Sequence, residues 1–196
     1  MKIALFGTSA DPPTAAHQAI LEWLAQDYDQ VAVWASDNPF KAHQSPLPDR
    51  LAMLTLLVQS LGYGHIQVWP ELSDRRSLLS LQRAQSLWGP QQDYSLVIGS
   101  DLIQQIHQWY QAPQLLTAVT LVIFPRPGYP IKAADLAALT QRGARYCLVP
   151  AQAPAVSSSR YRQTQDQTLI PEPVKDYIQR HHLYLPWAVA TPEQRP

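Results

Sequence analysis

Short apolar runs alternate along the chain with longer stretches in which apolar residues recur at helical spacing. The short runs predict buried β-strands, and the longer stretches predict amphipathic helices. The strand candidates are residues 3–6, 30–35, 66–69, 94–99, 119–124 and 145–149. Helices are predicted after residue 14, over 51–61, 78–88 and 133–141, and from Pro171 onward. Because helices between apolar strands imply parallel pairing, this pattern predicts an α/β fold with a doubly wound, Rossmann-like parallel sheet flanked by helices.

The segments that follow the predicted strands are where function is expected, because doubly wound sheets bind ligands at the carboxyl ends of their strands. In the first segment, Gly7 lets the backbone turn without a side chain in the way, and Thr14 fits a helix N-cap. His17 follows in the first helical turn, where free N–H groups and the positive end of the helix dipole stabilise a phosphate. It also shares a helical face with apolar residues 20, 21 and 24, so a half-buried core histidine is the alternative.

Composition narrows the class of protein. A chain of 196 residues predicts one domain, placed at 1–185, with a loosely ordered tail over 186–196. Zero net charge argues against bulk attraction to nucleic acid or an anionic membrane, so a phosphate ligand would need a local pocket. The single cysteine, Cys147, excludes an internal disulfide and fits a reducing cytoplasm. No apolar run approaches the roughly 20 residues of a membrane span.

The segment 7–17 resembles the first signature of the nucleotidylyltransferases with a Thr/His-x-x-His motif, which transfer AMP or CMP from a nucleoside triphosphate. Thr14 and His17 supply the Thr-x-x-His pair. Thr8 stands where the motif usually has its first glycine, Ala10 where it has phenylalanine, and Ala16 where it has the second glycine. All three are small or fairly small, so a close approach to phosphate is still expected.

Later segments resemble further signatures of the same family. Lys41 matches its Pro-Pro-His-Lys segment, although Phe40 stands where histidine is usual. The run 99–101 matches a Gly-x-Asp signature that precedes a Trp-Tyr pair, present here at 109–110. The run 157–162 matches Ser-Ser-Thr-x-x-Arg with serine in place of threonine. The stretch 126–129, Arg-Pro-Gly-Tyr, closely resembles the bacterial nicotinate mononucleotide adenylyltransferases, and the likeness extends over roughly residues 2 to 185.

The resemblance implies an adenylyltransferase of NAD biosynthesis, with ATP and nicotinate mononucleotide as substrates and Mg²⁺ accompanying ATP. The sequence itself offers no carboxylate cluster dedicated to a metal, so no metal site made by the protein is expected, and a homo-oligomer is left open. The catalytic residues it implies are His17, Thr14, Lys41 and Arg162. The ATP-binding residues are Gly7, Thr8, Ser9, Thr14, His17, Gly99, Asp101, Ser157, Ser158, Ser159 and Arg162. The mononucleotide-binding residues are Asp11, Lys41, Trp109, Tyr110 and Arg126.

Residues 77–82 differ from the family pattern, so the sequence leaves other acceptor substrates possible. Family members usually carry a Ser-Tyr-Thr-x-x-Thr run whose backbone contacts the nicotinate carboxylate, whereas residues 77–82 read Ser-Leu-Leu-Ser-Leu-Gln. Arg75 and Arg76 precede this run and offer charge for a carboxylate. The alternatives are an adenylyltransferase acting on nicotinamide mononucleotide or phosphopantetheine, and a non-catalytic nucleotide-binding protein. Phosphopantetheine has no ring to stack on Trp109, which argues against it.

Overall fold

The computed structural model describes residues 1–36, 45–150 and 154–184. In this part of the chain, six parallel strands form one sheet in the order β3-β2-β1-β4-β5-β6. The strands are β1 (Lys2–Thr8), β2 (Gln30–Ala35), β3 (Ile66–Val68), β4 (Asp93–Gly99), β5 (Thr120–Phe124) and β6 (Arg145–Leu148). The doubly wound parallel sheet predicted from the sequence is confirmed.

Helices cover both faces of this sheet. They are α1 (Ala15–Asp27), α2 (Leu47–Leu61), α3 (Ser77–Trp88), α4 (Ala112–Ala118), α5 (Ala133–Gln141), α6 (Ser158–Thr164) and α7 (Glu172–Arg180). Short 3₁₀ turns lie at 70–72, 100–102, 106–108 and 167–169. The sequence pattern did not predict α4, which has seven residues and a proline in its first turn, too short for a periodic apolar pattern to emerge. Within the described residues, no helix is long and apolar enough to cross a membrane.

The sheet is apolar on both sides because helices pack on each face. Along β1, Ala4 and Phe6 face the layer formed with α1, α2 and α7, while Ile3 and Leu5 face the layer formed with α3, α4 and α5. All four are nearly inaccessible to solvent. A strand buried on both faces is a continuous apolar run rather than an alternating one, which explains why these strands were recognisable in the sequence.

The strand order creates a topological switch between β1 and β4. The chain runs outward from β1 through β2 to β3, then returns to place β4 on the other side of β1. The two strands pair in parallel with Leu5 opposite Leu96, so Thr8 and Gly99 both lie three residues beyond that pair. Ligands of such sheets bind at this crevice. The segment 7–17 and the Gly-x-Asp segment 99–101 both begin there.

Gly7 lies within β1, one residue beyond the predicted strand end, and it is the residue that admits the indole of Trp34. The two residues are paired across β1 and β2, and a Cβ on residue 7 would lie 2.6 Å from two indole carbons. Trp34 is itself buried, so neither group has room to move aside.

We therefore expect Gly7→Ala to lower the free energy of unfolding by about 1–3 kcal/mol, the usual cost of overpacking a dense core. Urea unfolding measures this difference. Gly64→Ala is the matched control, because a Cβ at that exposed turn meets nothing within 4 Å. Equal stability of the two variants would contradict the steric role of Gly7.

Candidate active site

His17 is held by hydrogen bonds at both ring nitrogens. Its Nδ1 accepts the backbone N–H of Thr14 at 3.0 Å and lies 2.9 Å from the Thr14 hydroxyl. Its Nε2 lies 2.8 Å from Oγ1 of Thr8. Because Nδ1 accepts a backbone N–H, these bonds assign the proton of the neutral imidazole to Nε2. The residue is half-buried, and hydrogen bonds at both nitrogens fix the orientation of its ring. A histidine that only fills an apolar face would not need these bonds.

The start of α1 adds the backbone part of this site. Thr14 is the N-cap, with extended backbone angles, and forms a capping box with His17. The first turn of this 13-residue helix contains no acidic side chain, so the positive end of the helix dipole is not offset locally. The helix dipole, together with the first-turn N–H groups that the capping box does not engage, would therefore stabilise an arriving anion.

Asp11 is buried and joins three distant parts of the chain. Its Oδ1 accepts the hydroxyl of Tyr184 at 2.7 Å and the backbone N–H of Ser45 at 3.2 Å. Its Oδ2 lies 3.6 Å from a guanidinium nitrogen of Arg162. Burial raises the pKa of the Tyr184 hydroxyl, and the nearby charge of Asp11 raises it further, so this hydroxyl stays protonated and remains a donor. Asp11 therefore fixes the loop that carries Thr14 and His17.

The beginning of α6 docks onto the same loop. Arg162 donates to the backbone carbonyl of Asp11, and the hydroxyl of Ser158 donates to the carbonyl of Pro12 at 2.8 Å. Ser157 caps α6 by accepting the backbone N–H of Arg160 at 3.2 Å, and Ser159 lies 3.4 Å from Arg162. The structure thus unites the predicted first and last signatures, although they are about 150 residues apart in the chain.

Sequence reasoning missed Arg50 as a member of this site. It is only 1% exposed and donates to the carbonyls of Ser9, Ser36 and Ser45 at 3.1, 2.6 and 2.9 Å. The first two acceptors follow β1 and β2, so one guanidinium links the segments at two neighbouring strand ends. The sequence did contain a sign that Arg50 is buried. It precedes Met53, Leu54 and Leu57 at helical spacing, which places it on the buried face of α2.

A second cluster lies beyond β4. Asp101 accepts a hydrogen bond from Arg126 at 2.7 Å through Oδ2. Its Oδ1 is buried, and no donor reaches it from the part of the chain that the structure describes. A Cβ on Gly99 would lie 2.4 Å from this Oδ1, so glycine is needed for the carboxylate to lie where it does. Ser100 braces the turn by accepting the backbone N–H of Arg126 at 2.9 Å.

The Trp-Tyr pair follows this cluster. Trp109 is partly buried and packs against the apolar layer on the α3 and α4 side of the sheet. The neighbouring Tyr110 is 45% exposed, and the guanidinium of Arg76 lies 4.6 Å above its ring. Arg76 directly precedes α3, so its contact with Tyr110 joins the Trp-Tyr segment to the start of that helix. The predicted Lys41 lies outside the described residues.

Together these features define a class of protein: a doubly wound fold that presents a helix N-terminus beside a half-buried histidine, and a carboxylate turn, at adjacent strand ends. Residues 5–164 match the family model described as cytidylyltransferase-like, and the chain belongs to this family. It is 60% identical to the probable nicotinate-nucleotide adenylyltransferase of Synechocystis sp., over 94% of this chain and 99% of that protein. It is 31% identical to the corresponding protein of Bordetella pertussis, over 93% and 98%.

Solved structures show the same fold. The nicotinic acid mononucleotide adenylyltransferase of Plasmodium falciparum, complexed with NaAD, aligns with a TM-score of 0.79 at 20% identity and covers 93% of this chain and 97% of that one. The predicted fold of the nucleotidylyltransferase type is therefore confirmed, with the crevice between β1 and β4 in the position where such sheets bind their ligands.

Proposed function

We propose that this protein is a nicotinate-nucleotide adenylyltransferase, which transfers AMP from ATP to nicotinate mononucleotide and yields deamido-NAD and pyrophosphate. The observation that carries the proposal is the 60% identity to a curated protein of that name across nearly the whole of both chains. The loop between β1 and α1 adds chemical support, because its half-buried histidine and the N-terminus of α1 suit a polyphosphate.

The reaction needs no strong general base. The nucleophile is an oxygen of the mononucleotide phosphate, which is already ionised at neutral pH. It forms a bond to the α-phosphorus of ATP, and the bond from that phosphorus to the bridging oxygen breaks. The bridging oxygen leaves with the electron pair as part of pyrophosphate. Catalysis then consists of holding the reacting atoms in line and neutralising charge on the transferring group.

In this proposal, residues of the first loop bind the triphosphate. His17 donates its Nε2 proton to the α- or β-phosphate beside the N-terminus of α1. Arg162, whose side chain is one-third exposed, adds positive charge, and Lys41 is assigned the same task. The hydroxyls of Thr14 and Ser158 are directed at His17 and at Pro12. We therefore assign these two residues to shaping the loop rather than to direct phosphate contacts.

The second cluster is proposed to bind the sugars and the pyridine ring. The unpartnered Oδ1 of Asp101 suits a ribose hydroxyl, since a buried acceptor without a donor is costly until a ligand supplies one. Trp109 offers an aromatic face to the electron-poor pyridine ring. Arg126, paired with Asp101, and the exposed Tyr110 line the same segment.

Mg²⁺ is proposed to enter with ATP as part of the substrate. Within the described residues, no group of three or more His, Cys, Asp or Glu side chains could hold a metal ion. We assign the ion to the triphosphate, because nucleotide-bound Mg²⁺ usually takes phosphate oxygens and water among its ligands. Bound in this way, the ion would offset charge on the triphosphate.

The identity of the acceptor is proposed separately from the reaction, because residues 77–82 differ from the Ser-Tyr-Thr-x-x-Thr run that family members usually carry. In the structure they begin α3, and three of them, Leu78, Ser80 and Leu81, are buried. The side chains of these three residues therefore serve the core. Nicotinamide mononucleotide, which has an amide in place of the carboxylate, remains the second candidate acceptor.

Pyrophosphate release with ATP and Mg²⁺ distinguishes the candidate acceptors. We expect fast release with nicotinate mononucleotide and a much lower kcat/KM with nicotinamide mononucleotide or phosphopantetheine. Higher kcat/KM with the amide would move the assignment to nicotinamide mononucleotide. The absence of release with all three acceptors, in protein that binds ATP, would support a non-catalytic nucleotide-binding protein.

A further inference from the structure

Tyr184 lies just beyond α7, where the chain packs against α6. The backbone N–H of Leu183 donates to the carbonyl of Ile178 at 3.0 Å and closes the end of α7. The backbone carbonyl of Tyr184 accepts the side-chain amide of Gln165 at 2.9 Å, and its ring meets that of Tyr161 edge-on, with centroids 5.9 Å apart. Tyr161 lies in α6 and Gln165 is its C-cap, so this helix holds Tyr184 at two points.

The hydroxyl of Tyr184 determines how the Asp11 carboxylate is shared. Asp11 is 2% exposed, and its Oδ1 receives two donors, the Tyr184 hydroxyl at 2.7 Å and the backbone N–H of Ser45 at 3.2 Å. The other oxygen, Oδ2, lies 3.6 Å from Nη1 of Arg162, which is too far for a hydrogen bond. Nη1 donates instead to the backbone carbonyl of Asp11. The guanidinium therefore lies beside the carboxylate without the paired, two-bond contact that these groups often form.

This arrangement keeps the charge of Arg162 available to a ligand. The Arg162 side chain is 34% exposed, whereas that of Asp11 is 3% exposed, so the cation reaches solvent and the carboxylate does not. A buried carboxylate that loses a donor is costly until another donor replaces it. Without the Tyr184 hydroxyl, the adjacent guanidinium is suited to this task, because its planar fork matches a carboxylate. Arg162 would then pair with Asp11 and contribute less charge to a bound triphosphate.

We propose that Tyr184 is a positioning residue of the active site, whose hydroxyl engages Asp11 and so leaves the guanidinium of Arg162 to neutralise the triphosphate. The inference rests on the proposed function, in which Arg162 supplies that charge. Tyr184 acts without touching substrate, because its hydroxyl is directed at a buried carboxylate. The segment after α7 thereby controls the loop between β1 and α1, although Tyr184 and Asp11 are 173 positions apart in the chain.

Calorimetric titration with ATP and Mg²⁺, without acceptor, tests this role in Tyr184→Phe, which keeps the aromatic ring and removes the hydroxyl. We expect about 10-fold weaker ATP binding, the size of effect that the loss of one hydrogen bond to a charged group has. Binding of adenosine, which has no phosphate, should be unchanged. Unchanged ATP binding, or equal losses for ATP and adenosine, would overturn the proposal.

Tyr177→Phe is the matched control for Tyr184→Phe. Tyr177 also donates its hydroxyl to a carboxylate oxygen, that of Asp49 at 2.9 Å, but this pair does not include Arg162. The control should bind ATP within about twofold of the unaltered protein, as expected of a change outside the site. Equal losses of ATP affinity in the two variants would show that Tyr184 has only the structural role of any tyrosine bonded to a carboxylate.

A double-mutant cycle separates an effect through Arg162 from an independent one. In an Arg162→Met background, Tyr184→Phe should change ATP binding by less than about twofold, because the charge that it positions is already absent. A further loss of about 10-fold in that background would contradict the proposed route through Arg162.

If Tyr184→Phe fails to fold, Gln165→Asn supplies the comparison. Asparagine tolerates the left-handed backbone of residue 165, which has φ of 54°, but its shorter side chain withdraws the amide that holds the carbonyl of Tyr184. Weaker binding of ATP with unchanged binding of adenosine is again expected, and unchanged ATP binding would count against the proposal. Failure of the unaltered protein to bind ATP would instead count against the proposed function.

Discussion

His17→Ala is expected to lower kcat for adenylyl transfer by about 10²- to 10³-fold, the usual effect of removing one preorganised donor from a transition state. The imidazole is directed by Thr14 and Thr8 at the start of α1, so its proton is in place before the reaction begins. Charge on the transferring phosphate increases in the transition state, and the loss should therefore fall mainly on kcat rather than on KM.

Steady-state pyrophosphate release measures this effect, with Gln18→Ala as the control. Gln18 is the next residue of α1, and its side chain donates to Glu22, one turn further along the same helix. The control should retain kcat within about twofold, since surface substitutions have small effects. A kcat for His17→Ala close to that of Gln18→Ala would show that His17 does not stabilise the transition state.

Arg50→Met is expected to destabilise the fold by about 3 kcal/mol or more. The substitution keeps the length of the side chain and removes the donors to three carbonyls that follow β1 and β2 or precede α2. An unsatisfied buried polar group costs about 1–3 kcal/mol, and several are created together here. ATP binding should weaken as well, because Ser9 belongs to the loop that carries the site.

Arg83→Met is the matched control for Arg50→Met. Arg83 also donates to two carbonyls, those of Glu71 and Ser73, and to a carboxylate oxygen of Asp74. Its side chain is 45% exposed, so water replaces these bonds and the expected loss is below about 1 kcal/mol. Urea unfolding compares the two variants, and equal losses of stability would show that burial of Arg50 has no energetic importance.

Much of the fold could be predicted because the pattern that specifies each strand and helix lies within that element's own residues. Each strand is a continuous apolar run, since helices cover both faces of the sheet. The helix predicted over 51–61 ends at Leu61 as expected, and Gly62, with φ of 72°, is its C-cap. The short helix α4 was missed because seven residues contain too few periodic positions. The tail over 186–196, predicted to be loosely ordered, lies outside the described residues.

The candidate site was predictable in its motifs but not in its internal contacts. Thr14, His17 and Arg162 were identified from spacing and resemblance. The hydrogen bond from Tyr184 to Asp11 joins residues 173 positions apart, and no local pattern contains that information. The same holds for Arg50, whose burial is predictable from helical spacing but whose acceptors depend on how β1 and β2 pair. Tertiary geometry therefore shows that Asp11 is a structural anchor of the loop.

The central claim is that AMP passes intact from ATP to the phosphate of nicotinate mononucleotide. The most direct measurement follows the label from ATP carrying ³²P at the α-position, incubated with the protein, Mg²⁺ and nicotinate mononucleotide. The account predicts that the label moves into a dinucleotide of the mass of deamido-NAD and that the released pyrophosphate is unlabelled. Label that remains in ATP, or that appears in ADP or free AMP without a dinucleotide, would contradict the account.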